Sequence, residues 1–256
     1  MYLSTCLPVN VYTSPMPNIQ LFVTCLVDSF YPQTGEAVVS IFRRLGIGVD
    51  FARDQTCCGQ PPFSAGLRAE ARPMAQHTIE VFEKTTGDIV LPSGSCAHMM
   101  KHGYLELFRA DPVWLPRAQA LANRVFEFTE YLVDKLGVTD VGARWDGVLA
   151  YHASCNTLRA MRIDRQPRAL LANVKGATIV ELPAAEDCCG FGGIFSVEHP
   201  ELSAELLKRK ISNFELSESP TLVLVEAGCR MHIAGGLHRQ KKQQRVVHIA
   251  EVLASQ

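Results

Sequence analysis

Two stretches of the sequence set adjacent cysteines against a glycine: Cys57-Cys58-Gly59 in DQTCCGQPPF and Cys188-Cys189-Gly190 in PAAEDCCGFGG. Neighbouring cysteines are poorly placed to bond each other, because a vicinal disulfide strains the intervening peptide and the preferred Cα separation is larger. Each pair has two distant companions. Cys25 and Cys96 flank the first pair, and Cys155 and Cys229 flank the second. Taken in order, Cys25, Cys57, Cys58 and Cys96 recur as Cys155, Cys188, Cys189 and Cys229 at offsets of 130, 131, 131 and 133. A free cysteine is most often a small buried hydrophobe, but scattered burial does not produce two registered sets. Only Cys6 stands outside them.

Four convergent thiolates suit tetrahedral zinc or an iron–sulfur cluster. Structural zinc usually takes cysteines in close pairs, about two to four residues apart, and neither set contains such a pair. Ligands spread over distant positions, two of them adjacent, suit a larger object whose several irons accept neighbouring sulfurs on different atoms. Glycines beside the sulfurs let backbone amides approach, and such hydrogen bonds tune a reduction potential. The expected cofactor is therefore iron–sulfur, one [4Fe-4S] cluster per set, with zinc as the alternative.

Composition frames this chemistry. The chain has 256 residues, 47% hydrophobic and 20% charged, an ordinary globular balance with room for a proper core. A formal net charge of −1 leaves no electrostatic footprint for nucleic acid. No apolar run approaches the roughly 18 residues of a membrane span. The start, MYLSTCLPVNVYTSPM, has neither a positive n-region nor a continuous apolar stretch and reads as no signal peptide. A cytoplasmic location is expected. Thiols stay reduced there, so nine cysteines point to metal or redox chemistry.

The elements that must position the sulfurs repeat as well. IQLFVTC and GVLAYHASC are short apolar runs that read as buried strands ending at a cysteine. TGEAVVSIFRRLG has helical spacing and a glycine stop. VDFA and ATIVEL are second strands leading to the Cys-Cys-Gly turns. Helices follow near 64–86 and 200–214, then DIVLP and TLVLVE as third strands. VFEF and VVHI are fourth strands, each followed by a short helix. Arg124 and Arg245 begin matching tails at an offset of 121, so the second copy lacks about twelve residues after Cys229. Alternating strands and helices predict an α/β fold, a tandem duplication of two similar units, each with a largely parallel sheet. The first unit spans 17–142 and the second 143–256, with 1–16 an N-terminal extension expected to be disordered and Cys6 no ligand. The cysteines fall at the carboxyl ends of strands, where open parallel sheets form their crevice. Two four-thiolate pockets are expected.

Other features weigh less. CCGFGG lacks the full G-x-G-x-x-G spacing of a phosphate loop, and the first copy has GQPP there. His98 and His232, just past the last cysteines, read as exposed or neighbouring donors. His152 has Phe22 as its counterpart, so a hydrogen bond to a cluster sulfur is expected of it and a metal bond is not. Glu186 and Asp187 read as surface carboxylates, and HRQKKQQR at 238–245 as a solvated face or a docking patch.

The order Cys, Cys-Cys-Gly, Cys, duplicated, resembles the cysteine-rich CCG-domain family, which includes heterodisulfide reductase B subunits and glycolate oxidase iron–sulfur subunits. The likeness is strongest toward the iron–sulfur A subunits of bacterial L-lactate utilisation (L-lactate dehydrogenase) complexes. LFVTCLVDSFYP, TCCGQP, PSGSCAHMM, YLVDKLGVTDVGAR, YHASCNTLR, QPRALL and CCGFGGIFSV carry it, from about Pro17 to the C-terminus. It implies an electron-transfer subunit without haem or flavin, relaying electrons from lactate oxidation to an acceptor, with sibling subunits B and C as partners. It also implies cluster ligation by the eight registered cysteines. Heterodisulfide reductase B units carry a further cysteine three residues before the last of each set; Ser93 and Glu226 stand there in this chain. A thiol–disulfide or glycolate-type 2-hydroxy-acid oxidoreductase is the alternative reading, and a zinc-stabilised interaction protein the third.

Overall fold

The computed structural model describes residues 18–256; the disorder expected of residues 1–16, and Cys6 with them, lies outside that range. The first repeat runs β1 (Ile19–Leu21), α1 (Cys25–Phe30), α2 (Pro32–Arg44), β2 (Val49–Asp50), α3 (Gln60–Ser64) and α4 (Arg68–Glu83). It continues with β3 (Ile89–Leu91), α5 (Gly94–His98), α6 (Tyr104–Leu107), α7 (Trp114–Ala122), β4 (Val125–Glu127) and α8 (Phe128–Glu130). The second repeat runs β5 (Arg144–Tyr151), α9 (Arg165–Leu171), β6 (Lys175–Val180), α10 (Phe195–Glu198) and α11 (Pro200–Leu216). It closes with β7 (Thr221–Leu224), α12 (Ala227–Arg239), β8 (Arg245–His248) and α13 (Ile249–Ala254).

The strands form two four-stranded sheets of identical topology, β2-β1-β3-β4 and β6-β5-β7-β8. Every strand pair is parallel. The fold is thus the tandem α/β duplication that the alternating pattern predicts. The chain leaves β1 in one direction for β2 and in the other for β3, so a switch point lies between the two central strands. In the second sheet it lies between β5 and β7. The shortened tail also has its cause here. The first repeat inserts α6 and α7 between its last cysteine and β4, whereas α12 leads directly to β8.

Some strands are shorter than their apolar runs. VDFA yields only Val49–Asp50, because the chain turns away toward the Cys-Cys-Gly loop. The side chain of Gln55 fills the vacated place: Val23 N–H donates to its Oε1 (2.8 Å), and its Nε2 donates to Leu21 O (3.2 Å). A side-chain amide has the same donor and acceptor as the backbone, so the end of β1 stays satisfied.

The amphipathic helix α2 buries Thr34, Ala37, Val38, Ile41 and Phe42 on one face. It packs on α13 of the other repeat, and reciprocally α9 packs on α8. In each case the helix after one repeat's first strand meets the helix after the other's fourth, an approximate twofold arrangement. One apolar core therefore runs through both repeats, with Val38, Ile41, Phe42 and Phe128 packed among Leu149, Tyr151, Val223 and Val252. Each sheet has a separate core on its far side: Ile79, Phe82, Tyr104 and Phe108 in the first, Leu207, Ile211, Phe214 and Ile233 in the second. Polar ties reinforce the join. Arg44 on α2 donates to Leu253 O (3.2 Å) and Ala254 O (2.7 Å), capping the end of α13. Arg230 pairs with Glu251, and Thr34 Oγ1 donates to the same carboxylate (2.5 Å).

Candidate metal centre

Each of the eight registered cysteines is delivered by the end of a strand. Cys25 begins α1 just past β1, and Cys96 lies in the first turn of α5 just past β3. Cys57 and Cys58 sit in the loop after β2. The second repeat places Cys155 after β5, Cys188 and Cys189 after β6, and Cys229 in the first turn of α12 after β7. Glycine is required at both Cys-Cys-Gly turns. Gly190 has φ +92°, and a Cβ there would lie 2.5 Å from Ser203 O; Gly59 has φ +82° with Ala71 O at 3.3 Å. The turns are braced from below. Tyr104, fully buried, donates its hydroxyl to Cys58 O (2.9 Å). Ser203 Oγ donates to Gly190 O (2.8 Å) and lies 3.2 Å from His232 Nε2.

All eight cysteines line a single cleft of about 290 Å³ between the repeats. The sequence separates two sets; the reciprocal packing opens both onto one space. Cys25 Sγ lies 3.8 Å from Cys57 Sγ, and Cys189 Sγ 3.1 Å from Cys229 Sγ. Crowding makes the sulfurs share protons. The hydrogen bond from Cys25 holds the Cys57 thiol down at about 3, while Cys25 itself is pushed up by that bond, by burial and by the neighbouring charges. The second repeat repeats the pattern, with Cys188 held down to about 2 by its bonds to Cys155 and Cys189 and by Gly190 N–H, which donates at 3.3 Å. Cys155 is raised, chiefly by its bond to Cys188. Cys229 is lowered by Cys189 first, with His152 and Ser154 assisting. Cys57, Cys188 and Cys229 are thus poised to bind as thiolates, while a metal would have to displace the protons of their raised neighbours.

Ser93 and Glu226 prove to be partners. Ser93 is the N-cap of α5 and Glu226 that of α12, corresponding positions in the two repeats, and they meet across the join. Ser93 Oγ donates to Glu226 Oε2 (3.0 Å), Ser95 Oγ to the same oxygen (3.1 Å) and Thr157 Oγ1 to Oε1 (3.4 Å). Ser95 N–H also donates to Oε1. Burial, followed by the charge of Cys229, pushes the Glu226 carboxyl up to about 8 despite these donors. Sequence reasoning names Glu226 only as a missing cysteine. Its register with Ser93 was the one signal for the contact.

His152 is fully buried behind the second set. Its Nδ1 lies 3.0 Å from Ala185 O, and its Nε2 has no nitrogen or oxygen partner among the described residues. A ring nitrogen of His152 and the sulfurs of Cys189 and Cys229 all lie within 4.8 Å of one another. Lys210, also fully buried, donates to Ala184 O (2.7 Å) and Ala185 O (3.4 Å) beneath the same turn. Glu186 and Asp187 take no place in the cleft lining, and Asp187 pairs with Arg209 at 3.1 Å.

Two parallel sheets with paired cysteines at their carboxyl edges define a class, and the comparison with known families agrees. The family model described as CCG, cysteine-rich domain, matches residues 19–101 and 149–234. The chain belongs to the CCG cysteine-rich domain family. Among its relatives is "Lactate utilization protein A" of an Exiguobacterium species, 46% identical over 239 residues, covering 93% of this chain and 97% of the relative. A protein of the same name from Bacillus pumilus is 44% identical over 237 residues, covering 93% and 99%. In shape, the chain is similar to a hypothetical protein from Helicobacter pylori, with a TM-score of 0.55 at 8% identity. That match covers 94% of this chain and 49% of the other, and it bears on the fold alone.

Proposed function

We propose that the chain is an iron–sulfur subunit of an L-lactate-oxidising system and relays electrons from lactate oxidation to an acceptor. One observation carries this: eight cysteines face one cleft in a chain 46% identical to a protein named for lactate utilisation. The donor set fits such a group, since soft thiolates on a braced scaffold favour iron–sulfur over oxygen-seeking metals. Cys25, Cys57, Cys58 and Cys96 would hold one [4Fe-4S] cluster, and Cys155, Cys188, Cys189 and Cys229 a second. When bound, the clusters supply reversible one-electron transfer. The chain's own residues fix the sulfurs, keep Cys57 and Cys188 deprotonated and let Gly190 N–H donate to Cys188. Sibling subunits B and C are the proposed partners in the cytoplasm, with substrate oxidation carried out by or shared with them. Among the described residues no helix is long and apolar enough to cross a membrane.

Anaerobic purification tests the reading. A brown protein with about eight irons and matching sulfide per chain is expected. Cys188→Ser should remove about half of that iron, leaving the first set's EPR signal. A colourless protein with zinc and no sulfide would overturn the cluster reading and favour a zinc-stabilised scaffold. Lactate oxidation by the isolated chain with an artificial acceptor would overturn the division of labour; activity restored only by the partner subunits supports it.

A further inference from the structure

We propose that His152 binds the metal centre of the second repeat directly, through Nε2. The inference rests on reading the second cysteine set as a metal site, and it makes the two sites unequal. Ala185 O can only accept, so the His152 nitrogen facing it at 3.0 Å, Nδ1, must carry the ring proton. The remaining nitrogen then presents a lone pair. Among the described residues it has no nitrogen or oxygen partner, and the ring stands among the second set's sulfurs, one of its nitrogens within 4.8 Å of Cys189 and Cys229 Sγ and interacting with the Cys229 thiol. A buried polar atom without a partner is costly, and a bound metal ion satisfies it. Histidine ligands characteristically donate their other ring N–H to a backbone carbonyl, which fixes the tautomer and strengthens the donor nitrogen. That arrangement is present here. Lys210 also donates to the carbonyls of Ala184 and Ala185, so the ring faces a fixed acceptor.

The first repeat has no counterpart. Phe22 occupies the corresponding place just past the strand, fully buried and packed on Phe82 at 5.7 Å between ring centres. Histidine ligation raises the potential of an iron–sulfur centre. Imidazole ligation would thus shift the potential of the second centre upward relative to the same site without it.

The test uses the full chain, purified anaerobically, and pulsed EPR of the reduced state. Strong hyperfine coupling to a directly bonded imidazole ¹⁴N is expected in the wild type and its loss in His152→Phe, with the first centre's signal retained as evidence of folding. His152→Gln, a smaller change, should lose the coupling too. In a redox titration the second centre of either variant shifts downward. Iron and sulfide at both sites without ¹⁴N coupling in the wild type would overturn the His152 ligand and leave the cluster reading intact. Zinc without sulfide would overturn the cluster reading, and imidazole scattering at the zinc absorption edge then decides His152: present supports ligation, absent overturns it. A chain that binds no metal overturns both.

Discussion

Gly190 and Gly142 both hold positive φ, +92° and +73°, yet their surroundings differ. A methyl group on Gly142 meets nothing within 4 Å, so Gly142→Ala is expected to cost only the conformational penalty of about 1–2 kcal/mol. At Gly190 the same methyl drives into Ser203 O and the whole Cys188-Cys189 turn must move. Gly190→Ala should lose metal at the second set while Gly142→Ala keeps it, as measured by iron content; equal loss from both would show that the turn tolerates displacement. The eight cysteines are legible in the sequence because they recur in register. A metal bond from His152 and the contact made by Glu226 are not, because each residue occurs once, opposite Phe22 and Ser93. A single histidine or carboxylate acquires its meaning from the atoms around it, and Ala185 O or Ser95 N–H carry no side-chain signal.

Glu127 and His248 close the fourth strand of each sheet and cap the helix that follows. Glu127 Oε2 accepts from Thr129 N–H (2.7 Å) and Glu130 N–H (3.1 Å), and His248 Nδ1 accepts from Ala250 N–H (3.2 Å). Both side chains are fully buried. Burial moves them in opposite senses, raising the Glu127 carboxyl to about 7 and lowering the His248 imidazole to about 4. The unfolded chain binds the histidine proton more tightly, so His248 favours folding above the ordinary histidine range and that contribution fades as pH falls toward 4. Glu127 has the reverse sign: the folded state holds its proton more tightly, and stability declines as pH rises toward 7. His248→Asn keeps an acceptor at the cap. The urea midpoint of this variant should therefore fall less than the wild type's between pH 6.5 and 4.5, and an unchanged difference would remove His248 from the pH response. The succession of strands along the chain, the longer helices between them and even the lost loop are readable from apolar periodicity and offsets; the order of strands within each sheet is not. The length of β2 is not, because Gln55 ends it by substituting for a strand.

Across the molecule, the repeats share one core and keep one each. Phe42 lies in the shared core, in edge-to-face contact with Phe128, whereas Phe214 belongs to the second repeat's outer core. Truncating either to alanine should cost about 3–5 kcal/mol. Phe42→Ala is expected to release metal from both sets together in mild denaturant, and Phe214→Ala from the second set first. Release confined to one set in Phe42→Ala would mean the repeats unfold separately. The apolar stripe of α2 announces a partner without naming α13, so the single cleft follows from packing that no offset encodes. The Ser93–Glu226 contact carries a last consequence. A position on a twofold axis faces its own copy, so in a dimer of two identical repeats a glutamate there would confront a second buried carboxylate at hydrogen-bond distance. Joining both copies in one chain lifts that restriction. One copy can carry the acid and the other the hydroxyl that receives it, and the centre of the molecule becomes a place where duplicated halves are free to diverge.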